Sequence, residues 1–426
     1  MIRKTDPHRT RKRRQPSRRE PNPPPDPQRK RRAGRAFEPE QAPIVERVLR
    51  LLATVAPELG RWLSLGLALL TVAMLQLWRG ARSGNGKLTL GALSRTLPLE
   101  ENEKARSKRL YRLLRNGSLD GTVMTPLLVR LALGANPRGW VPILVDQTEV
   151  GGTQVIMAGI RLAHRVLPVA FTCYEYEKLR KSQNALENSL LLLIAACLPP
   201  PAKPLFVMDR GYARASLLRH LRTLNIPFLV RGRSNTIVRL EGKRLRLGRL
   251  PHRRGRPCRY SHAAYQDDSQ EPVDIVIFHD PHFQQPWFLL VPAGSEAQLP
   301  TAEVVALYRQ RMHIELTFRD WKTHLGVRGL RLEVDPAPRL GRLLLALSCA
   351  YLLAVLLGSG PLAAAVRAHS EVLRSQPRHG TRRRLSALSI AILALSLARF
   401  AHLLSRELDR LLTAFERGLP AADTSP

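Results

Sequence analysis

Cysteine is scarce in this chain: Cys173, Cys197, Cys258 and Cys349 are the only four among 426 residues, and no two stand at a paired spacing. That scarcity excludes a disulfide framework and a cysteine zinc site, and it suits a reducing cytoplasm. Acidic residues are also few, 34 against 68 Lys plus Arg, which leaves a formal net charge of +34. A polyanionic partner is then the default. Residues 1–42 hold 14 basic and 5 acidic side chains, so most of the excess lies beyond them. Ribosomal and membrane-surface proteins carry similar charge, so nucleic acid is the leading class among several. Long uninterrupted apolar runs are missing as well. Leu63–Trp78 is interrupted by Ser64, Thr71 and Gln76 and bracketed by Arg61 and Arg79, slightly short for a bilayer span. Leu343–Gly358 and Ala387–Leu397 are shorter or break at Gly-Ser-Gly-Pro. Buried helices of a large core are expected, with no membrane partner. The basic start has no apolar segment behind it, so no signal peptide is expected.

What is present falls into blocks. Residues 1–42 are rich in Arg, Pro and Gln and are expected to be a disordered basic arm. Residues 43–135 read as helices, including Leu88–Pro98 and a basic amphipathic segment, Lys104–Arg115, stopped by Asn116-Gly117. A short helix, a turn and a basic helix fit a helix-turn-helix-like DNA-binding domain, in which Lys108, Arg109 and Arg112 are candidate DNA contacts. A charged surface helix packed on the next domain fits the same pattern. From residue 136 the pattern becomes strands at Trp140–Val145, Gln154–Ile160 and Leu167–Tyr174, then a helix at Asn184–Cys197. A strand at Leu205–Met208, a helix at Ala213–Leu224 and a strand at Phe228–Val230 follow. This α/β order suits a ribonuclease-H-like mixed sheet over 136–233, resumed at 296–345. Short alternating stretches over 234–295 read as a β-rich insertion interrupting it. Residues 346–426 are expected to be C-terminal helices, joined by a basic linker near Arg378–Arg384.

The chemistry is concentrated in Tyr308-Arg-Gln-Arg311-Met-His-Ile-Glu315-Leu-Thr-Phe-Arg-Asp-Trp-Lys322. On a regular helix Tyr308, Arg311, Glu315 and Lys322 fall within roughly 60° of one another. Leu307, Ile314, Phe318, Trp321 and Leu325 form an apolar stripe beside them. Val141–Asp146 and Pro204–Asp209 are apolar runs that each end in an acid, as strands delivering Asp146 and Asp209 to one sheet edge. An Asp capping a turn reads the same way. Three carboxylates meeting there offer the hard oxygen ligands that Mg²⁺ takes. Glu149 is a weaker fourth, since strand alternation turns it away from Asp146. His279-Asp-Pro-His282 reads as a turn rather than a ligand pair.

The Y-x2-R-x3-E-x6-K spacing, with its order Asp, Asp, Glu, resembles the DDE transposases of bacterial insertion sequences, over roughly residues 85–345. The resemblance implies a metal-binding catalytic triad of Asp146, Asp209 and Glu315, holding two Mg²⁺ or Mn²⁺ ions. It implies that Tyr308, Arg311 and Lys322 grip phosphates near the cleaved end. Arg210, after Asp209, is a further phosphate candidate or a salt-bridge partner. Trp287, heading the strand before the catalytic helix, is expected to stack on a flipped base or to sit in the core. The expected partners are double-stranded DNA, as terminal inverted repeats and target, and a second copy of the chain in the DNA complex. Rival expectations are a transposase-derived DNA-binding protein without catalysis, a basic membrane-associated protein and a structure-selective nuclease.

Overall fold

The computed structural model describes residues 37–80, 87–134, 137–162, 164–179, 182–371 and 384–418. The expected arm up to Ala36, and the expected linker up to residue 383, lie outside the described residues. The apolar run after Trp140 folds as β1 (Trp140–Val150), which does not stop at Asp146 but continues to a hairpin. Gly151 and Gly152 both have positive φ, 56° and 83°, the backbone a tight two-residue hairpin requires. The chain returns as β2 (Thr153–Leu162) and β3 (Arg165–Tyr174), both antiparallel to their neighbours.

Ser182 caps the next helix, α6 (Gln183–Cys197), through the backbone N–H of Ala185. It crosses to β4 (Lys203–Met208), which lies parallel to β1 with Val145 opposite Met208. The amphipathic α7 (Ala215–Thr223) leads to β5 (Phe228–Arg231), parallel to β4. The segment expected as an insertion is hydrogen-bonded into the same sheet. Its strands are β6 (Ile237–Leu240), β7 (Lys243–Arg246), β8 (Cys258–Tyr265), β9 (Glu271–Phe278) and β10 (Trp287–Pro292). Strand β10 pairs antiparallel with β5, giving one ten-stranded mixed sheet in the order β3-β2-β1-β4-β5-β10-β9-β8-β6-β7. Periodicity predicts such strands individually, and most pair with their chain neighbours, but the pairing that joins them to the rest, Leu290 with Val230, is distant in sequence.

Further helices pack around this sheet. They are α1 (Ala42–Val55), α2 (Gly60–Gly80), α3 (Leu90–Arg95), α4 (Glu103–Arg115) and α5 (Gly121–Leu133) before it. After it come α8 (Thr301–Arg311), α9 (His313–Arg319), α10 (Pro336–Ser359), α11 (Leu362–Ser370), α12 (Ala387–Ser396) and α13 (Ala401–Glu416). Helices α2 and α10 are long and apolar enough to cross a membrane, yet most of each apolar window is buried, 89% of it in α10. Enclosure on all sides explains why α10 is apolar all round. It packs on β3, α2 and α12.

Candidate active site

Two of the expected acids meet through strand register. The β1/β4 ladder ends at Val145 opposite Met208, so Asp146 and Asp209 are the next residues on adjacent parallel strands. Adjacent strands lie about 4.8 Å apart. Helix α8 lies across these strand ends. Tyr308 donates its hydroxyl hydrogen to Oδ1 of Asp209 at 3.1 Å. Arg311 donates from Nη1 to Oδ2 of Asp146 and from Nη2 to Oε1 of Glu315, each at 2.9 Å. One buried guanidinium therefore links acids separated by 169 positions of chain, with Asp209 beside them.

The electrostatics follow from burial. The Asp146 carboxyl titrates above the ordinary aspartate range because it is buried and has Asp209 and Glu315 as like-charged neighbours, an effect Arg311 opposes. Burial works against the charge of Arg311, but the surrounding acids and Tyr308 more than restore it. Burial pushes the Tyr308 phenol up to about 12, so it remains a hydrogen-bond donor. The Nε of Arg311 is buried with no hydrogen-bond partner among the described residues, an unspent donor inside the site. Glu315 is the exposed member, with a little over half of its side chain open to solvent.

Helices α8 and α9 are joined at Met312, whose backbone is itself right-handed helical, so the carrier is one run. Pro300 starts it, and Glu303 stands in its first turn, where the helix dipole favours an acid. The expected apolar stripe of Leu307, Ile314, Phe318, Trp321 and Leu325 is buried throughout. The regular spacing ends at Asp320–His324, where Leu325 N–H reaches Asp320 O, five residues back, at 2.8 Å. This wider π turn moves Lys322 off the straight-helix position relative to Glu315. Lys322 is partly buried, and burial, then Arg328, lowers its pKa while Glu149 opposes the fall.

Other expected contacts divide. Arg210 is exposed and makes no salt bridge among the described residues. Trp287 is buried against Phe278, Phe283 and Tyr308, 5.1 Å from the last ring centre, so it braces Tyr308 and offers no open face to a base. The strand's burial on both faces explains the difference. On α4, Lys108 and Arg112 are exposed, as are Lys104, Tyr111 and Arg115. Arg109 instead donates from Nε to both Glu101 oxygens, at 2.9 and 2.7 Å, because Glu101 lies in the turn before the helix. His279 and His282 sit in a turn where Asp280 accepts the His282 backbone N–H.

Some positioning residues escaped the sequence reading. Thr317 fastens α9 to β3, accepting from Val166 N at 3.1 Å and donating to Val166 O at 3.0 Å. Asp320 accepts from Arg165 at 2.6 Å and from the Tyr351 hydroxyl at 2.9 Å. Buried Glu187 pairs with Arg214, tying α6 to the turn after Asp209. No local pattern marked Thr317 or Asp320, which on a regular helix lie beside the apolar stripe, on the side away from Tyr308 and Glu315.

Carboxylate oxygens are the donors that hard divalent cations prefer, so the chemistry of this set fits Mg²⁺ or Mn²⁺. In the present arrangement Arg311 occupies one oxygen of Asp146 and one of Glu315. Among the described residues no three His, Cys, Asp or Glu side chains stand ready to hold an ion. The acids are gathered around a cation, and that cation is an arginine.

Residues 179–353 match the family model described as the transposase DDE domain. No curated protein matches the chain. A cryo-EM structure of the piggyBac transposase synaptic complex with hairpin DNA is similar at a TM-score of 0.41 with 10% identity. That likeness covers 92% of this chain and 84% of that one, and is too slight to bear weight.

Proposed function

We propose that this chain is a DDE transposase that cuts DNA at the ends of a mobile element and joins the freed 3′-hydroxyl to target DNA. The observation that carries the reading is the gathering of Asp146 and Glu315 on Arg311, with Asp209 next in register. The family match over 179–353 spans Asp209 and Glu315 and supports it. The strand order β3-β2-β1-β4-β5, with β1, β4 and β5 parallel, supports a ribonuclease-H-like core.

Asp146, Asp209 and Glu315 would hold the divalent ions, once Arg311 turns from Asp146 and Glu315 toward a phosphate. Such ions supply an activated oxygen nucleophile and neutralise the leaving oxygen of an in-line displacement. The protein's own part is positioning. Tyr308 fixes one oxygen of Asp209, and Trp287 holds the Tyr308 ring in place. Arg311, with an uncommitted Nε, is the nearest cation for the scissile phosphate, and Lys322 lies on the same carrier. Burial of Asp146 makes a proton compete for its carboxylate, so occupancy by any cation weakens toward acid pH. The exposed Lys104, Lys108, Arg112 and Arg115 of α4 suit reading of the terminal repeats, each copy of a dimer holding one end.

The test is metal-dependent nicking of DNA that carries the sequences bordering the element. Asp146→Asn, Asp209→Asn and Glu315→Gln are each expected to lower the rate by about three orders of magnitude or more, with duplex binding little changed. Wild-type rates in any one of them would remove that residue from the triad. Rates unchanged in all three would overturn the proposal.

A further inference from the structure

A second charged feature adjoins the acids and has no role in the chemistry above. Between residues 231 and 259 there are eleven Lys or Arg side chains and one acid, Glu241. Five of the eleven are held internally, Arg233 by donating to the Arg210 carbonyl at 3.4 Å. Arg239 and Arg244 pair with Asp267, Arg259 pairs with Asp274, and Arg254 donates to the carbonyls of Pro281 and Phe283. Among the described residues Arg233, Arg249, Arg253 and Arg256 make no ion pair, and all four are exposed.

Packing brings these four to the site. A cleft of about 890 Å³ opens at Asp209 and is walled by Arg210, Arg231, Arg233, Ser234 and Gly248. The Gly248 N–H donates to Ser234 O at 2.7 Å, so Arg249 leaves from the rim of the cleft. The His252 ring packs on Phe288, which lines the cleft, and Gly255 N–H donates to His279 O at 2.8 Å. His279 follows the end of β9, where Phe278 pairs with Trp287, and Trp287 abuts Tyr308 on Asp209. Strand β9 is three places from β4, or about 14 Å at ordinary strand spacing, roughly four base pairs of DNA. Charged edge strands also deter pairing with other chains. That need would be met by β7 alone, whereas these cations continue through the loop and down the cleft wall.

We infer that the cleft at Asp209 and the loop 249–256 form a sequence-independent track for the phosphodiester backbone of DNA beyond the cut. The inference rests on the DNA-cleaving reading for which DNA lies there. Helix α4 is joined through Arg342, on α10, to the β3 side of the sheet. The acids stand in the middle and the track lies on the other side. DNA held by α4 and cut at the acids must leave across the track, whether it is flanking DNA before cleavage or target DNA at joining. Both have arbitrary sequence, and arginine reads a backbone without reading bases.

The experiment measures binding of a random-sequence 30-base-pair duplex by the full chain across a salt series. Arg249→Ala, Arg253→Ala and Arg256→Ala combined are expected to weaken binding about tenfold or more. The slope of log affinity against log salt should shrink by about 2 to 3, because each phosphate contact contributes roughly 0.9. A control removes the exposed Arg61, Arg406 and Arg417, on or just after helices α2 and α13, and should lose much less. Equal losses in the two variants, or binding within twofold of wild type in the first, overturn the track. Nicking of end-bearing DNA is scored in the same preparations. A wild type that never cuts, alongside the expected loss of binding, leaves the track standing and removes the transposase reading. Cutting that persists with unchanged binding does the reverse.

Discussion

The centre of the sheet and the loop 249–256 handle arginine in opposite ways. At the centre, Arg311 is buried and its charge is spent on Asp146 and Glu315. In the 249–256 loop, Arg249, Arg253 and Arg256 are exposed and, among the described residues, unmatched by acids. Burial makes the difference. A guanidinium taken out of water needs carboxylates around it, and carboxylates taken out of water need a cation among them. Exposed arginines need no partner within the protein and remain available for one outside it. The centre is therefore built to hold compact cations, and the flank to hold an extended polyanion.

Removing Arg311 is the largest single perturbation this contrast implies. Arg311→Ala leaves Asp146 buried among like charges, and loss of one partner of a buried pair costs about 3 kcal/mol. Thermal unfolding in EDTA should show a clear fall in melting temperature, and millimolar Mg²⁺ or Mn²⁺ should restore more of it in the variant than it adds to wild type. A variant as stable as wild type in EDTA would show that the acids need no resident cation, and the contrast between centre and flank would collapse. Lys322 gives a smaller effect with a defined sign. Burial, then Arg328, lowers its pKa from the ordinary 10.5, so its charge is complete at neutral pH and lost as pH rises through a range below that value. DNA affinity measured from pH 7 to 10 should decline in wild type earlier than in Lys322→Arg, whose guanidinium stays protonated. Parallel curves would mean that Lys322 does not touch DNA.

The fold and the acids were unequally legible. Asp146 and Asp209 could be found because each ends a short apolar run, a local pattern that marks a strand end. The Tyr308 to Glu315 spacing survived because that stretch is close to regular helix. Lys322 was placed less well, because the π turn at Asp320–His324 is held by contacts with Arg165 and Tyr351, 155 and 31 positions away. For Trp287 two positions were open, stacked on a base or set in the core, and it lies in the core against the carrier helix, a contact no local pattern encodes. The joining of β10 to β5 and the siting of the arginine loop beside Asp209 depend on pairings no local pattern encodes. Charge in the loop was visible, but its address was not.

The smallest expected effect separates position from charge. Asp267 follows β8 at the end opposite the arginine loop, and accepts from Arg239 at 3.1 Å and Arg244 at 2.6 Å. Hydrogen bonding from Arg244, then from Arg239, holds its carboxyl below the ordinary aspartate range, so both arginines are matched at neutral pH. Asp267→Asn releases them and adds one net positive charge without altering the loop. Because both arginine side chains are largely open to solvent, the melting temperature should move by less than about two degrees. If place matters, random-duplex affinity should stay within about twofold of wild type. A tenfold gain, matching in size the loss expected on stripping the loop, would mean that DNA responds to the charge of the whole β-rich flank. The loop beside Asp209 would then have no privileged part in holding it.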